Sequence, residues 1–177
     1  MKMRFFSLIF VFVLFVNQNI HAHGPSRQKV VQKIELNASP EEVWKIISDF
    51  TKFNFNKDVI SVSSSGKEIG SKRELIFSDK KKISHSLEKF DETKRKITWR
   101  IIETDNDILP VNSYSAMLMV TEKKGVKNKS VLMYKAAFYR GFMGNDPPEN
   151  LNDENSKKKV ISFVKKNISG IKSIVEK

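Results

Sequence analysis

The chain has 177 residues, a formal net charge of +12 and no cysteine. The lack of cysteine excludes disulfides, thiolate nucleophiles and cysteine-ligated metals, so packing has to stabilise the fold. The seven glycines are too scattered for a phosphate loop, a dinucleotide motif or a nucleophile elbow, so we expect no cofactor.

The first 22 residues have the pattern of a secretory signal. Lys2 and Arg4 precede a nearly unbroken apolar run over residues 5–16, and a polar stretch ends at Ala22. The apolar run is short for a membrane span, so we predict cleavage after Ala22, with an uncleaved N-terminal anchor as the alternative. The mature chain is then expected to be periplasmic and to have no transmembrane span.

Removing 22 of the 177 residues leaves 155, which suits a single domain over residues 23–177. The removed segment contains Lys2 and Arg4 and no acidic residue, so the charge falls from +12 to +10. This lysine-dominated charge indicates either a solvated basic surface or attraction to an acidic protein or an anionic membrane. Lysine is poorly suited to bidentate base recognition and an exported chain rarely meets nucleic acid, so we expect no nucleic-acid partner.

The mature chain begins with a predicted strand and a capped helix. Residues 29–36 alternate as a strand does. Ser39 then suits an N-cap, Pro40 suits the first helical position and Glu42 completes a capping box. The buried stripe of this helix is predicted to comprise Val43, Trp44, Ile46, Ile47 and Phe50.

Three phenylalanines follow in a segment rich in Asn and Lys, which predicts a second short helix or an aromatic-lined loop. Alternating segments bounded by turn residues then predict six strands. These cover residues 59–63, 72–77, 83–90, 97–102, 114–121 and 130–139.

A turn-rich segment and a long helix end the chain. Gly141, Gly144 and the prolines at 147 and 148 predict a chain reversal, with Asn152 or Asp153 as the cap of the helix. The helix stripe steps by four, four, three and four residues through Val160, Val164, Ile168, Ile171 and Val175. Arg140 either pairs with a carboxylate of this segment or lies at a cavity mouth as an anion anchor.

The order of elements predicts an α+β fold, with a mostly antiparallel sheet, two short helices after the first strand and a long C-terminal helix. One amphipathic helix cannot cover such a curved sheet completely. We therefore expect a cleft between sheet and helix, of the kind that binds small apolar ligands.

Three stretches resemble the START-like superfamily, also called SRPBCC or helix-grip proteins, which includes polyketide cyclases and lipid-transfer domains. They are ASPEEVWKIISDF at 38–50, ILPVNSYSAMLMV at 108–120 and AAFYRGFMGNDPPENLNDE at 136–154. The third is similar to the periplasmic MxaD-like branch, which is linked with methanol oxidation. The resemblance implies a curved antiparallel sheet wrapped around the C-terminal helix. The Trp-His-Pro that the family often has after the first helix is replaced here by Phe55, Asn56 and Lys57.

Ten residues are predicted to line a ligand cavity, because they carry aromatic rings or polar groups on inward-facing positions or at the cavity mouth. They are Phe53, Phe55, Arg73, Leu75, His85, Trp99, Tyr114, Tyr134, Phe138 and Arg140. His85 has no orienting partner in the sequence, so we assign no catalytic residue. His23 would be N-terminal after cleavage, but too few other ligands exist for a closed metal site, and we predict none.

Three functions are compatible with this pattern. The first is a non-enzymatic periplasmic accessory protein which, by resemblance, assists electron transfer between methanol dehydrogenase and its cytochrome, with the basic surface meeting an acidic redox partner. The second is a carrier or sensor of a small hydrophobic ligand. The third is a cyclase- or hydrolase-like enzyme that uses His85 and a tyrosine.

Overall fold

The computed structural model of the protein describes residues 24–177. The predicted signal segment, its cleavage site and His23 lie outside the described residues. Within residues 24–177, neither helix combines the length and hydropathy that crossing a lipid bilayer requires.

Seven strands form one sheet, and two α-helices lie along the chain at its beginning and end. The strands are β1 (Gln28–Leu36), β2 (Val59–Ser64), β3 (Lys72–Phe77), β4 (Lys82–Asp91), β5 (Lys96–Thr104), β6 (Val111–Glu122) and β7 (Ser130–Arg140). The helices are α1 (Pro40–Ile47) and α2 (Asp153–Val175), and a single 3-10 turn covers Glu149–Leu151.

The sheet is antiparallel throughout, in the order β1-β7-β6-β5-β4-β3-β2. The strands from β2 to β7 form a meander, and β1 pairs with β7 at the far edge. This confirms the predicted α+β helix-grip architecture, in which the sheet packs against the long C-terminal helix.

Strand β6 begins three residues before the predicted strand. The register with β7 shifts between Asn112 and Ser115, and Ser113 has φ +48°. Such a bulge interrupts the alternation from which strands are recognised in a sequence. The Asn112 amide donates to the carbonyls of Arg140 and Gly141 and fixes the bulge to the end of β7.

The predicted second short helix was wrong, because residues 48–58 form turns. The Asp49 carboxylate accepts hydrogen bonds from the backbone N–H and the hydroxyl of Thr51, which closes a turn directly after α1. Phe50, Phe53 and Phe55 are all buried, at 4% exposure or less. The loop therefore points all three rings inward, which a short regular helix with one buried face does not do.

Both helices begin as the sequence predicts. The Ser39 hydroxyl accepts from the Glu42 N–H, and the Glu42 carboxylate accepts from the Ser39 N–H at 2.8 Å, which completes the capping box. Asn152 caps α2 by accepting from the Asn155 N–H at 2.8 Å. An N-cap of this kind stabilises a helix by about 1 kcal/mol.

Helix α2 packs its apolar stripe into the sheet. The buried apolar residues of this helix are Val160, Phe163, Val164, Ile168 and Ile171. Each such side chain contributes about 1.5–3 kcal/mol when fully buried. Gly170 lies so close to the loop after α1 that a Cβ placed there would be 1.5 Å from the Phe55 carbonyl oxygen. The absence of a side chain at this position allows the helix and the loop to touch.

Two roles were predicted for Arg140, and the structure shows the first of them, the pairing with a carboxylate. Its guanidinium lies 2.8 Å from the Asp153 carboxylate and donates to the carbonyls of Phe142 and Gly144. The side chain is only 7% exposed. Arg140 therefore ties the end of β7, the turn after it and the start of α2 together.

Candidate functional site

All ten sequence-predicted site residues are at most 6% exposed. Eight of them form a continuous interior group between the sheet and α2: Phe53, Phe55, Arg73, His85, Trp99, Tyr114, Tyr134 and Phe138. Leu75 is a core residue of β3, and Arg140 lies apart in the turn described above.

Arg73 is the charged centre of the group. Its Nε donates to His85 Nδ1 at 3.0 Å, and its Nη1 donates to the carbonyls of Phe50 and Lys52 at 3.1 Å each. The guanidinium carbon also lies 4.3 to 5.2 Å from the ring centroids of Phe50, Phe53 and Trp99. Cation–π contacts of this kind are strongest where water is excluded.

Burial lowers the pKa of both Arg73 and His85, because it disfavours the charged form of each group. Desolvation lowers the pKa of Arg73 to about 9, so the guanidinium still carries its proton at neutral pH. Burial, followed by the nearby Arg73 charge, lowers the pKa of His85 well below its usual value. His85 is therefore neutral and accepts the Arg73 hydrogen bond through Nδ1.

Two buried N–H groups in this cluster have no hydrogen-bond partner within residues 24–177, namely His85 Nε2 and Trp99 Nε1. The two rings lie on β4 and β5, with centroids 5.9 Å apart. A buried unsatisfied donor costs about 1–3 kcal/mol, so two of them side by side need an explanation.

A second polar group crosses the same interior and is fully paired. The Tyr114 and Tyr134 hydroxyls are 3.3 Å apart, Asn167 Nδ2 donates to the Tyr134 hydroxyl at 3.5 Å, and Asn56 Nδ2 donates to Asn167 Oδ1 at 2.7 Å. Burial raises the pKa of Tyr134 to about 12 and that of Tyr114 well above its usual value. Both phenols are therefore neutral hydrogen-bonding groups.

Sequence reasoning missed Asn56 and Asn167 because a polar residue beside an apolar stripe usually faces water. A signal existed for Asn167, which directly precedes the stripe residue Ile168. The Asn56 side chain crosses from the loop after α1 to α2, where it donates to Asn167.

An open cleft of about 580 Å³ lies between the β3–β4 turn, the connection from β5 to β6, and α2. Its apolar surface comes from Ile60, Phe77, Ile108 and Phe163. The charged residues that line it are Lys57, Asp58, Asp79, Lys81, Asp107, Lys159 and Lys166. Two of these lysines are paired with aspartates of the same cleft, Lys81 with Asp107 and Lys166 with Asp58.

The cleft leads to the interior cluster through two stacked rings. Phe163 lines the cleft and stacks on Phe53 with centroids 6.3 Å apart, and Phe53 meets the His85 ring edge-on at 5.8 Å. None of the ten predicted residues lines the cleft itself. Phe77 shares the inward parity of Leu75 and could have been found from the strand pattern, whereas Phe163 lies beside the predicted helix stripe.

The profile of the family described as polyketide cyclase / dehydrase and lipid transport matches residues 27–176. The chain belongs to this family. The match covers almost all of the described residues. It agrees with the observed helix-grip fold, in which the sheet packs against the long C-terminal helix. No curated protein matches the chain at a significant level.

Solved structures with the family's architecture share the fold at low sequence identity. An uncharacterised protein from Bacillus thuringiensis has a TM-score of 0.68 and 22% identity, over 85% of this chain and 100% of the other. The protein XoxI from Bacillus cereus has a TM-score of 0.68 and 23% identity, over 83% and 94%. Norcoclaurine synthase from Thalictrum flavum, an enzyme, has a TM-score of 0.65 and 14% identity, over 87% and 89%.

Proposed function

We propose that the protein is a non-enzymatic periplasmic binding protein that carries or senses a small hydrophobic molecule. The observation that carries the proposal is the 580 Å³ cleft, whose apolar floor includes Phe77 and Phe163. Small-molecule sites are concave and mostly apolar, with a few polar groups that set orientation. The cleft is concave, but charged side chains line it as well as Ile60, Phe77, Ile108 and Phe163, so only part of a ligand meets an apolar surface there. It adjoins the apolar interior through the Phe163 and Phe53 rings.

The geometry around His85 supports binding over catalysis. A general base has to reach the proton that it removes, directly or through one water. Arg73 Nε donates to His85 Nδ1, and burial lowers the pKa of His85, so the neutral ring carries its proton on Nε2 and has no free lone pair with which to act as a base. The norcoclaurine synthase structures share only the fold with this chain, so they supply no argument for an enzyme here.

Native mass spectrometry of the protein, purified from the periplasmic fraction without detergent, tests the proposal. We expect an added mass that disappears on denaturation. Ser162 and Ser173 are both exposed on α2. Ser162 lines the 580 Å³ cleft, while Ser173 lines an adjoining groove of about 320 Å³, which shares Lys57, Asp58 and Lys166 with the cleft but contains none of its apolar residues. Ser162→Trp should abolish the added mass, and the matched control Ser173→Trp should keep it. A bare mass in the unmodified protein, or an adduct indifferent to Ser162→Trp, would contradict the proposal.

A stripe of lysines on α2 favours a second, compatible function: MxaD-like assistance of a methanol dehydrogenase and its cytochrome. Lys158, Lys165 and Lys172 recur every seven residues and are exposed, so they lie in one row along the helix. Lys158 and Lys165 form no salt bridge within residues 24–177, and Lys172 pairs only with Glu176 of the same helix. An unneutralised basic row of this kind suits docking to an acidic redox protein.

Pull-down from periplasmic extract at low and high salt tests this second function. Capture of an acidic dehydrogenase or cytochrome by the unmodified protein should be lost at high salt and in Lys158→Glu/Lys165→Glu. The control Lys29→Glu/Lys33→Glu makes the same charge change on β1 and should leave capture intact. Capture that persists at high salt, or that both pairs of substitutions weaken equally, would contradict docking through the stripe.

A further inference from the structure

Two N–H groups in the interior of the protein lie on rings whose centroids are 5.9 Å apart, and neither has an acceptor. His85 and Trp99 are 0% and 1% exposed, and their Nε2 and Nε1 atoms have no hydrogen-bond partner in the part of the chain that the structure describes. They face the same side of the sheet, because Trp99 pairs with Leu87, two residues along β4 from His85. Neither atom takes part in the network that holds the core together.

Both atoms are donors. Because Arg73 Nε donates to His85 Nδ1, the neutral imidazole carries its own proton on Nε2. An indole nitrogen can only donate. The pair therefore needs an acceptor, and no carbonyl or carboxylate of residues 24–177 supplies one.

The adjacent charge selects the kind of acceptor. The Arg73 guanidinium is 3% exposed, and its printed hydrogen bonds go to a ring nitrogen and two carbonyls. Among residues 24–177 no carboxylate forms a salt bridge with it, while three aromatic rings surround it. The Asp49 carboxylate acts on Arg73 electrostatically but forms no salt bridge with it, so a buried anion is favoured over a neutral acceptor beside this cation.

We propose that His85 Nε2–H and Trp99 Nε1–H bind the carboxylate of a small apolar acid, with Arg73 supplying the compensating charge. This site deepens the proposed function, on which it rests, because the apolar part of the ligand extends into the cleft. The route passes Phe163 and Phe53, whose ring contacts connect the cleft to His85. Phe53 is 0% exposed and Phe163 is 7% exposed, so both rings have to move for the ligand to reach the two donors.

The protein contains its own spectroscopic control. It has two tryptophans, and Trp44 Nε1 already donates to the Glu92 carboxylate at 2.7 Å. Titration of the ¹⁵N-labelled protein with octanoate should shift the indole N–H resonance of Trp99 downfield and leave that of Trp44 unchanged. Octan-1-ol, which has the same chain without the carboxylate, should bind at least tenfold more weakly and shift neither resonance.

Substitutions then distinguish the effect of the N–H donor on ligand affinity from the effect of the ring that carries it. Trp99→Phe keeps a ring and removes the N–H, and it should weaken octanoate binding about tenfold, as expected for the loss of one hydrogen bond to a charged group. Trp44→Phe is the matched control and should leave the affinity for octanoate unchanged. The wild-type titration stands by itself if Trp99→Phe does not fold.

Each outcome decides between the cleft and the anchor. Equal binding of octanol and octanoate would overturn the carboxylate site and leave the cleft proposal standing. Octanoate binding that moves no Trp99 resonance, or that Trp99→Phe does not weaken, would overturn it in the same way. If neither probe binds while native mass spectrometry finds a ligand, the carboxylate site is again overturned. Absence of any ligand in both experiments removes the cleft and the anchor together.

Discussion

Two polar groups cross the interior of this protein, and they differ in whether their hydrogen bonds are satisfied. On the side of β6, β7 and α2, the hydroxyls and amides of Tyr114, Tyr134, Asn167 and Asn56 form a chain without an unpaired polar atom. On the side of β3, β4 and β5, Arg73 and His85 are paired with each other, but two N–H groups are left over. The first arrangement holds elements together, while the second leaves two donors that we propose bind a ligand.

The difference indicates which buried polar residues stabilise the fold and which are available for a ligand. A fully satisfied buried network stabilises and specifies the core, whereas an unsatisfied buried group persists only where something else compensates for it. Substitutions in the tyrosine and asparagine chain should therefore change the free energy of unfolding. Substitutions of the leftover N–H groups should mainly change ligand affinity.

Asn167→Leu should have the largest effect on stability. The substitution keeps the branched shape of the side chain but enlarges it, leaves Asn56 Nδ2 without its acceptor and removes a donor to Tyr134. We expect the free energy of unfolding to fall by about 3 kcal/mol, since a buried donor stays unpaired. Urea denaturation measures this, with the exposed Ser169→Ala of the same helix as the control, expected to change by less than about 0.5 kcal/mol. A similarly small change for Asn167→Leu would show that the chain is dispensable.

Gly170→Ala should disturb both groups at once. Alanine in a helix interior is normally more stable than glycine by about 1 kcal/mol. Here the added Cβ would lie 1.5 Å from the Phe55 carbonyl, on the loop that carries Asn56 of one group and Phe53 of the other. Overpacking of this kind typically destabilises by about 1–3 kcal/mol, and we expect a net loss of about 2. A stabilised Gly170→Ala protein in thermal and urea unfolding would show that helix and loop are not held in contact.

The free energy of unfolding should depend on pH through His85, which belongs to the group with unsatisfied N–H donors. Burial keeps the folded-state pKa of His85 below 6.5, so only the unfolded chain binds this proton as the pH falls below about 6.5. Stability is therefore full above that pH and falls by up to about 1.4 kcal/mol per pH unit below it, until the pH reaches the folded-state pKa. Urea denaturation at pH 7, 6 and 5 measures this loss.

His85→Gln is the control for the pH series and should make stability nearly flat over this range. Asp49 does not interfere. Partial burial alone would raise its pKa, but hydrogen bonds from Thr51 and Lys52 outweigh it and lower the pKa to about 2. Its stabilising effect is present above an ordinary value of 3.8 and is lost only below that pH. An unchanged slope in His85→Gln would assign the pH dependence to other groups.

Tyr114→Phe should have the smallest effect. Its hydroxyl lies at the end of the chain and has a single partner, Tyr134, at 3.3 Å. We expect a loss of about 1 kcal/mol or less in the free energy of unfolding. Tyr139→Phe on the half-buried face of β7 is the control and should change nothing measurable. A loss above about 2 kcal/mol for Tyr114→Phe would mean that the hydroxyl pair matters more than its length indicates.

The fold could be predicted from sequence because its elements are encoded locally. Alternation defined the strands, and the side chains of Ser39, Glu42 and Asn152 marked the helix starts that the structure has. The loop after α1 could not be predicted in this way. Its turns depend on Arg73, which binds the carbonyls of Phe50 and Lys52 from more than 20 residues away.

The burial of the ten predicted residues was readable from the sequence, whereas their arrangement and the cleft were not. The inward parity of Arg73 and His85 was readable, since they lie on neighbouring strands, yet their hydrogen bond depends on the register of β3 and β4. The Asn56 to Asn167 contact spans 111 residues, and no local pattern indicates it. The cleft is likewise made by segments distant in the sequence, so its lining could not be inferred.

The pairing of the first strand with the last one sets the order in which this protein can mature. Gln28 in β1 lies opposite Phe138 in β7, so the edge of the sheet stays open until nearly the whole chain has been synthesised. Bringing such distant segments together is entropically slow. Until β7 has been synthesised, β1 has no strand with which to pair, so this edge of the sheet is completed last.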